Sequence, residues 1–298
     1  MSAGAGLDAA GGSDDVGSDA SGRGPRPGGD GVLLSSGQRA TVVPLSDGWA
    51  LEIDGFRQSH VGADAEPSPH ATVRWMLAAL AGPLAASDAP RMAHVGGAAM
   101  SLPRQVAHRR PDARQAVVEL EQSIVDLVVA HAPPPAGIDV AVGEGRAWLE
   151  AAAPASLDAI VIDVYAGGRI PPAFTSLQCA LAARAALADG GMLVVNGVAG
   201  PELDFTAAHL AALERAFGHA ALVVQGSVLA GARFGNAVLV ASARPIDAEP
   251  IRAALAGDAS RGALVVDVSR IVADAEPLRD ADERWSPEPI RSAFITPA

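Results

Sequence analysis

The sequence is poor in the residues that build several common kinds of site. Its 298 residues contain one cysteine, Cys179, which excludes an intramolecular disulfide framework and a metal site made of clustered cysteines. We expect Cys179 to be a small buried side chain in a helix. There is no uncharged apolar run of about 18 residues and no charged segment followed by an apolar one at the N-terminus, so we expect neither a membrane span nor a secretory signal. These absences predict a cytoplasmic protein.

Basic residues are also in the minority. The chain has 22 Lys and Arg against 34 Asp and Glu, a net charge of -12. Because phosphate binding needs a basic face, this balance argues against a nucleic-acid partner. An acidic surface is compatible with a cationic substrate, although an acidic surface that only aids solubility is the simpler explanation of the charge. With 49% apolar and 4% aromatic residues, the composition is that of a globular protein rich in small apolar side chains.

Composition divides the chain into four parts. Residues 1–31 are mostly Gly, Ser, Ala and Asp without an apolar run, which predicts a disordered tail. Residues 32–66 predict a small β-hairpin domain, residues 67–245 a nucleoside-binding domain, and residues 246–298 a C-terminal extension. We expect the part of the extension that follows Glu276 to be loosely packed.

The expected hairpin domain is defined by its turns. Residues 40–43 and 49–53 are short apolar runs that lie next to Asp47-Gly48 and Asp54-Gly55. Asp-Gly is the strongest short-range signal for a hairpin turn. Gln58 and His60 follow, where such a hairpin would lean over the next domain. A surface or packing imidazole is the alternative for His60.

Residues 91–163 have the pattern of one nucleotide-binding half of a doubly wound α/β sheet. Four apolar segments each deliver a turn or an acid at the carboxyl end, where ligands bind in open α/β sheets. These ends are Gly96-Gly97, Glu119, Glu144-Gly145 and Asp163. Glu119 lies about 20 residues beyond the glycines, the distance at which an acid meets ribose hydroxyls.

Some of the residues at this edge also have a simpler interpretation. The turn lacks a full G-x-G-x-x-G pattern, and such turns often only pack a helix on a strand. Asp163 can be a helix N-cap or a loop carboxylate, and Tyr165 can simply cover the sheet edge.

Further on, we expect a helix that includes residues 174–184 to end at Gly190-Gly191, and a strand at 192–195 to place Asn196 at its end.

Together these segments resemble the spermidine synthase-like, or polyamine aminopropyltransferase, family, across residues 49–242. The glycine-rich turn G-G-G-D-G of the family matches residues 96–100, with Ala99 at the aspartate. The second strand ends in Glu119, and Glu144 takes the place of the acid in the third turn. The family's D-x-x-D matches residues 163–166, with Ala166 at the second aspartate. The resemblance implies a Rossmann-like, methyltransferase-type sheet with helices on both faces, preceded by the small hairpin domain.

The resemblance also implies roles. The nucleoside, S-adenosylmethionine or its decarboxylated form, would be a co-substrate, and no metal is expected. It would be bound by Gln58, Gly96, Gly97, Glu119, Glu144, Gly145, Asp163 and Tyr165. The acceptor would lie near His60, Tyr165 and Asn196, with Asp163 as the catalytic group. A homodimer is implied as well.

Two departures from the family pattern bear on the reaction. Ala99 has no charge for the amino group of an aminopropyl donor, and Ala166 cannot bind or deprotonate an attacking amine. Three hypotheses therefore remain: a spermidine synthase-like transferase with a non-standard acceptor, a methyltransferase on the same scaffold, and a nucleoside-binding protein without catalysis.

Overall fold

A computed structural model describes residues 31–62 and 67–288. The expected tail therefore lies outside the described residues except for Gly31, as do residues 63–66 and 289–298. The described chain forms a small antiparallel sheet followed by a large mixed sheet with helices on both faces. This is the α/β class that the sequence predicts.

The small sheet has four strands in chain order, all antiparallel. They are β1 (Gly31–Leu33), β2 (Arg39–Leu45), β3 (Gly48–Ile53) and β4 (Phe56–Gly62). Asp54 and Gly55 join β3 to β4 with φ angles of 50° and 79°. Left-handed backbone at both central residues fits the twist of a two-residue hairpin, which confirms the Asp-Gly prediction.

The large sheet has eight strands in the order β12-β10-β11-β9-β8-β5-β6-β7. They are β5 (Arg91–Val95), β6 (Arg114–Glu119), β7 (Ile138–Val142), β8 (Leu157–Ile162), β9 (Leu187–Ala199), β10 (His219–Gln225), β11 (Gly235–Ser242) and β12 (Gly262–Val265). Strands β5 to β9 are parallel, whereas β11 is antiparallel to β9 and to β10. The edge strand β12 comes from the expected C-terminal extension.

Helices cover both faces of the large sheet. They are α1 (Ala71–Ala79), α2 (Ala81–Ala86), α3 (Ser101–Arg109), α4 (Gln122–His131), α5 (Gly145–Ala151), α6 (Leu177–Ala186), α7 (Asp204–Phe217), α8 (Gly226–Leu229), α9 (Ala248–Leu255) and α10 (Ser269–Val272). One core contains residues of α6 and α7, and a second contains residues of α1 and α9. A third core joins the small sheet to α3 and α4. None of the helices described is long and apolar enough to cross a membrane.

The prediction for the end of α6 was wrong. The helix ends at Ala186, and the chain passes directly into β9, where Leu187 pairs with Leu157 and Met192 with Ala159. The ladder is irregular between these two pairs, and Gly190 there has a φ of 80°. Tertiary strand pairing therefore overrides the local glycine signal, and Gly190 belongs to the irregular part of a strand.

Strand β9 is also longer than expected. It continues to Ala199 because β11 pairs with it over its whole second half, with Asn196 opposite Val238. Asn196 therefore lies inside a strand, and the prediction that it ends one was wrong.

Residues 276–288, which we name the C-terminal strap, are not loose. Leu278 is buried, and its carbonyl oxygen accepts the N–H of Leu177 at 2.7 Å. Ser286 is completely buried. The strap is fixed because its backbone polar groups pair with α6, α7 and the loop after β8, whereas most of its residues are prolines and charged residues that give no local sign of packing.

Candidate functional site

Four predicted site residues lie in one row along the carboxyl edge of the sheet. In the strand register, Val95 is level with Val118 and with Ile162, and Ile162 is level with Val195. The residues that follow these four are Gly96, Glu119, Asp163 and Asn196. Parallel strands thus bring together groups that are up to 100 residues apart, at the edge where open α/β sheets bind ligands.

The glycine turn allows very close backbone approach. A Cβ at Gly96 would lie 2.2 Å from the carbonyl oxygen of Asp163, and one at Gly97 would lie 2.5 Å from Cγ1 of Val117. Gly96 also has a φ of 86°, which favours glycine. Both glycines are therefore required by the fold, whether or not a ligand binds there.

Glu119 is tied to that turn. Its Oε2 accepts the backbone N–H groups of Gly97 at 3.0 Å and Ala98 at 2.9 Å. Its Oε1 accepts the N–H of Glu121 at 3.2 Å. The half-buried carboxylate retains lone pairs for ribose hydroxyls, since each oxygen can accept more than one hydrogen bond. Glu119 and the turn therefore form one rigid unit.

Ala99 is not exposed at the carboxyl edge of the sheet. It is completely buried and belongs to the third core, which also contains Met100, Leu34 and Trp49. The residues on either side of it have left-handed backbone, with φ of 38° at Ala98 and 60° at Met100. The turn is thus shaped to place a small apolar side chain under the small sheet.

Asp163 is held from the neighbouring strand. Its Oδ1 accepts Nδ2–H of Asn196 at 2.7 Å, and its N–H donates to Val95 at 2.8 Å. Burial raises the pKa of Asp163, and the hydrogen bond from Asn196 partly opposes this. A carboxyl with a raised pKa accepts a proton more readily at neutral pH. The amide oxygen Oδ1 of Asn196 is buried with no hydrogen-bond partner among the described residues.

Tyr165 covers the same edge. Its hydroxyl lies 3.4 Å from the carbonyl oxygens of both Asn196 and Gly197. Burial, together with the negative charge of Asp163, raises the pKa of Tyr165 far above its usual value. The phenol therefore stays neutral and acts as a donor.

Glu144 and Gly145 have structural tasks in this arrangement. The Glu144 carboxylate caps α5 by accepting the N–H groups of Arg146 at 2.9 Å and Ala147 at 2.7 Å. A Cβ at Gly145 would lie 2.4 Å from Cγ1 of Val95. The turn is still next to Glu119, whose carbonyl oxygen accepts the N–H of Gly143 at 2.9 Å. Glu144 is exposed, so a contact with adenine would use its remaining lone pairs.

The small sheet contributes backbone rather than free side chains. The carbonyl oxygen of His60 accepts the hydroxyl of Ser101 at 2.7 Å, which ties β4 to the start of α3. The His60 ring is buried, with Nε2 3.1 Å from Oδ1 of Asp47. Gln58 is exposed, and its amide donates to the carbonyl oxygen of Phe56 at 3.2 Å. The hydrogen bonds of the Gln58 and His60 side chains are thus made within the small sheet and its turns.

Sequence reasoning missed two apolar side chains at the edge. Leu120, directly after β6, is 63% exposed, and Val142, the last residue of β7 and the register partner of Glu119, is 43% exposed. An exposed apolar residue directly after a strand-end acid is a signal that the sequence contains. It also missed His70, half-buried before α1, whose Nε2 is buried without a partner among the described residues.

Cys179 is buried, as expected, and burial raises the pKa of its thiol to about 12. Within residues 31–62 and 67–288, no group of three or more His, Cys, Asp or Glu side chains is arranged to hold a metal ion.

The chain matches no family model. A probable polyamine aminopropyl transferase of Bifidobacterium longum is 35% identical over 118 residues, which is 40% of this chain and 26% of that protein. The chain therefore spans about a quarter of the length of this curated relative.

The crystal structure of a probable spermidine synthase from Corynebacterium glutamicum superposes with a TM-score of 0.79 at 25% identity, over 85% of this chain and 97% of that one. This chain has the spermidine synthase fold. A spermidine synthase in complex with the transition-state analogue AdoDATO superposes at a TM-score of 0.55 and 12% identity, over 81% of this chain and 87% of that one. The resemblance noted in the sequence is confirmed, since the curated relative is named as a polyamine aminopropyl transferase and the similar structures as spermidine synthases.

Proposed function

We propose that this chain is a transferase that binds a sulfonium nucleoside, decarboxylated S-adenosylmethionine or S-adenosylmethionine, and passes an alkyl group from it to a non-standard amine acceptor. The observation that carries the proposal is the row of Gly96, Glu119, Asp163 and Asn196 along one sheet edge. The names of the similar proteins support it, since one of them was crystallised with AdoDATO.

In this proposal the ribose and the adenine of the nucleoside have different partners. The two ribose hydroxyls donate to Glu119, whose position the turn amides fix. The exposed side chains of Leu120 and Val142 flank the adenine, an apolar and aromatic base. Glu144 accepts from the adenine amino group with the lone pairs that capping leaves unused.

The chemistry needs few groups. A neutral amine attacks the carbon bonded to the sulfonium sulfur, an N–C bond forms as the C–S bond breaks, and the electron pair leaves on sulfur as a neutral thioether. The new ammonium then gives a proton to Asp163, whose raised pKa suits it to accept one. The protein otherwise holds the two reactants in line.

Transfer of an aminopropyl group is our first candidate, and transfer of a methyl group is the second. The second is favoured by Ala99, because a buried apolar residue at that point supplies no charge that would select a donor lacking a carboxylate. The homodimer and the cytoplasmic location that the sequence predicts remain predictions.

Product analysis tests the proposal. Purified protein is incubated with each nucleoside and a panel of amines, and 5′-methylthioadenosine or S-adenosylhomocysteine is measured. Asp163→Asn is expected to lower turnover by at least about 100-fold, the usual contribution of a general base, while the exposed Asp274→Asn serves as control. Unchanged turnover in Asp163→Asn contradicts the catalytic role of Asp163. If neither 5′-methylthioadenosine nor S-adenosylhomocysteine forms with any amine, a nucleoside-binding protein without catalysis is favoured.

A further inference from the structure

The loop after Asp163 contains a tight hairpin that presents an arginine. Ala166 donates its N–H to the carbonyl oxygen of Arg169 at 2.8 Å, and Arg169 donates back at 3.1 Å. Gly167 and Gly168 make the turn with φ of 58° and 78°, the left-handed pair of a two-residue hairpin. Directly opposed residues project on the same face, so the Arg169 side chain stands beside the methyl group of Ala166.

The Arg169 side chain is held in place. Its Nε donates to the carbonyl oxygen of Ser286 at 2.6 Å, and its guanidinium lies 5.7 Å from the centre of the Trp285 ring. No carboxylate of residues 31–62 or 67–288 forms an ion pair with it. The two terminal amino groups of the guanidinium are therefore not neutralised by an acid of the described chain.

The strap that supplies these contacts is itself rigid. Ser286 Oγ accepts the N–H of Ile170 at 2.9 Å, and the N–H of Ser286 donates to Ile170 at 3.2 Å. The strap is anchored further back by Leu278 in the first core and by the ion pair between Asp280 and Arg146 at 3.3 Å. The contacts of Arg169 with this anchored strap therefore restrict its side chain before a ligand binds, which lowers the entropic cost of binding.

We propose that Arg169 forms an oxyanion subsite next to Asp163, and that the acceptor carries a carboxylate as well as its amine. This inference rests on the proposed function. A planar guanidinium whose terminal amino groups meet no carboxylate of the described chain can bind a ligand carboxylate through two parallel hydrogen bonds. Asp163, three residues before the hairpin, receives the amine end. A simple diamine would bring a second ammonium group to Arg169, where like charges repel.

Matched ligands test the subsite. The protein is saturated with 5′-methylthioadenosine and titrated calorimetrically with 4-aminobutanoate and with 1,4-diaminobutane, which differ in carrying a carboxylate or a second amine. We expect the carboxylate ligand to bind at least about tenfold more tightly, as hydrogen bonds to charged groups imply. Arg169→Gln is expected to remove this advantage and leave nucleoside affinity unchanged. Arg169→Lys, which keeps the charge but loses the fork, is expected to retain part of it.

The exposed Arg252→Gln, on helix α9, is the matched control and is expected to behave as the wild type. Tighter binding of the diamine overturns the subsite, and so does an Arg169→Gln variant that binds the carboxylate as well as the wild type. Binding of neither ligand at about 10 mM, above the usual range of substrate KM values, overturns it too. Failure of 5′-methylthioadenosine itself to bind contradicts the proposed function and with it the subsite, so the two failures are distinguished by the first titration.

Discussion

Asn196 donates its side-chain amide to Oδ1 of Asp163 at 2.7 Å, from the neighbouring strand of the sheet. This hydrogen bond stabilises the ionised carboxylate and so lowers the pKa of Asp163, while burial raises it. The two effects together set the protonation of the proposed catalytic group.

Removal of the amide is expected to raise the pKa of Asp163. In Asn196→Ala only burial acts on the carboxyl, so the acid limb of the pH profile of turnover is expected to move to higher pH. The same shift is expected in a carbon-13 NMR titration of the Asp163 carboxyl. Asn236→Ala, at an exposed position of β11, is the control. An acid limb at the same pH in Asn196→Ala and wild type would show that the hydrogen bond from Asn196 does not lower the pKa of Asp163.

Glu119→Gln is expected to weaken nucleoside binding. The charge that accepts the ribose hydroxyls is lost, and hydrogen bonds to charged groups contribute about 1.5–3 kcal/mol, so we expect roughly a 10- to 100-fold rise in the dissociation constant. Calorimetric titration measures it, with the exposed Glu249→Gln on α9 as control. Equal affinity in Glu119→Gln and wild type rules out Glu119 as the ribose ligand.

Substitution by aspartate at Ala99 and at Ala166 is expected to have different effects on stability, because Ala99 is buried and Ala166 is exposed. Ala99→Asp places a carboxylate in the apolar third core, where an unpaired polar group costs at least about 2 kcal/mol. Ala166→Asp places one on an exposed hairpin and is expected to change the free energy of unfolding by less than about 0.5 kcal/mol. Urea denaturation compares them. A fully stable Ala99→Asp variant would mean that this side chain reaches solvent.

Stability is expected to fall on acidification because of two buried histidines. Burial lowers the pKa of His94 and of His209 to about 4, from 6.5. The unfolded state therefore binds more protons between pH 6.5 and pH 4, and stability is lost as the pH falls through this window. The shift corresponds to roughly 3 kcal/mol for each residue.

Urea denaturation of His94→Gln across this window checks the assignment. Its dependence on pH is expected to be weaker than that of wild type by about the contribution of one histidine, roughly 3 kcal/mol. The exposed His219→Gln is expected to match the wild type. A His94→Gln variant with the full pH dependence of wild type would show that His94 is not responsible.

The row of site residues was predictable from the sequence, for a physical reason. Each of Gly96, Glu119 and Asp163 directly follows an apolar segment, and parallel pairing makes the ends of such segments neighbours. The Asp54-Gly55 hairpin was predictable because its backbone geometry is decided by the two residues themselves. A single sequence is therefore sufficient to predict features that depend on adjacent residues or on a pattern repeated at every strand end.

Contacts between distant segments were not predictable. The local sequence favours a helix cap at Gly190, whereas the residues around it pair with β8. Ser286 has no role that its neighbours in sequence indicate, because its hydrogen-bond partner Ile170 lies 116 residues earlier. From the sequence, Ala99 is simply an uncharged residue where the family has an aspartate. Its burial depends on the small sheet and on the left-handed backbone of Ala98. In each case tertiary packing decides between interpretations that the local sequence leaves open.

Nucleoside binding is best tested by calorimetric titration of the purified protein with S-adenosylmethionine and with its decarboxylated form, side by side. We expect one-to-one binding of at least one of them, with a dissociation constant below about 1 mM, the upper end of ordinary substrate affinities. Preference for the decarboxylated form supports aminopropyl transfer, and equal or better binding of S-adenosylmethionine supports methyl transfer. Binding of neither nucleoside would contradict the claim that this sheet edge is a nucleoside site.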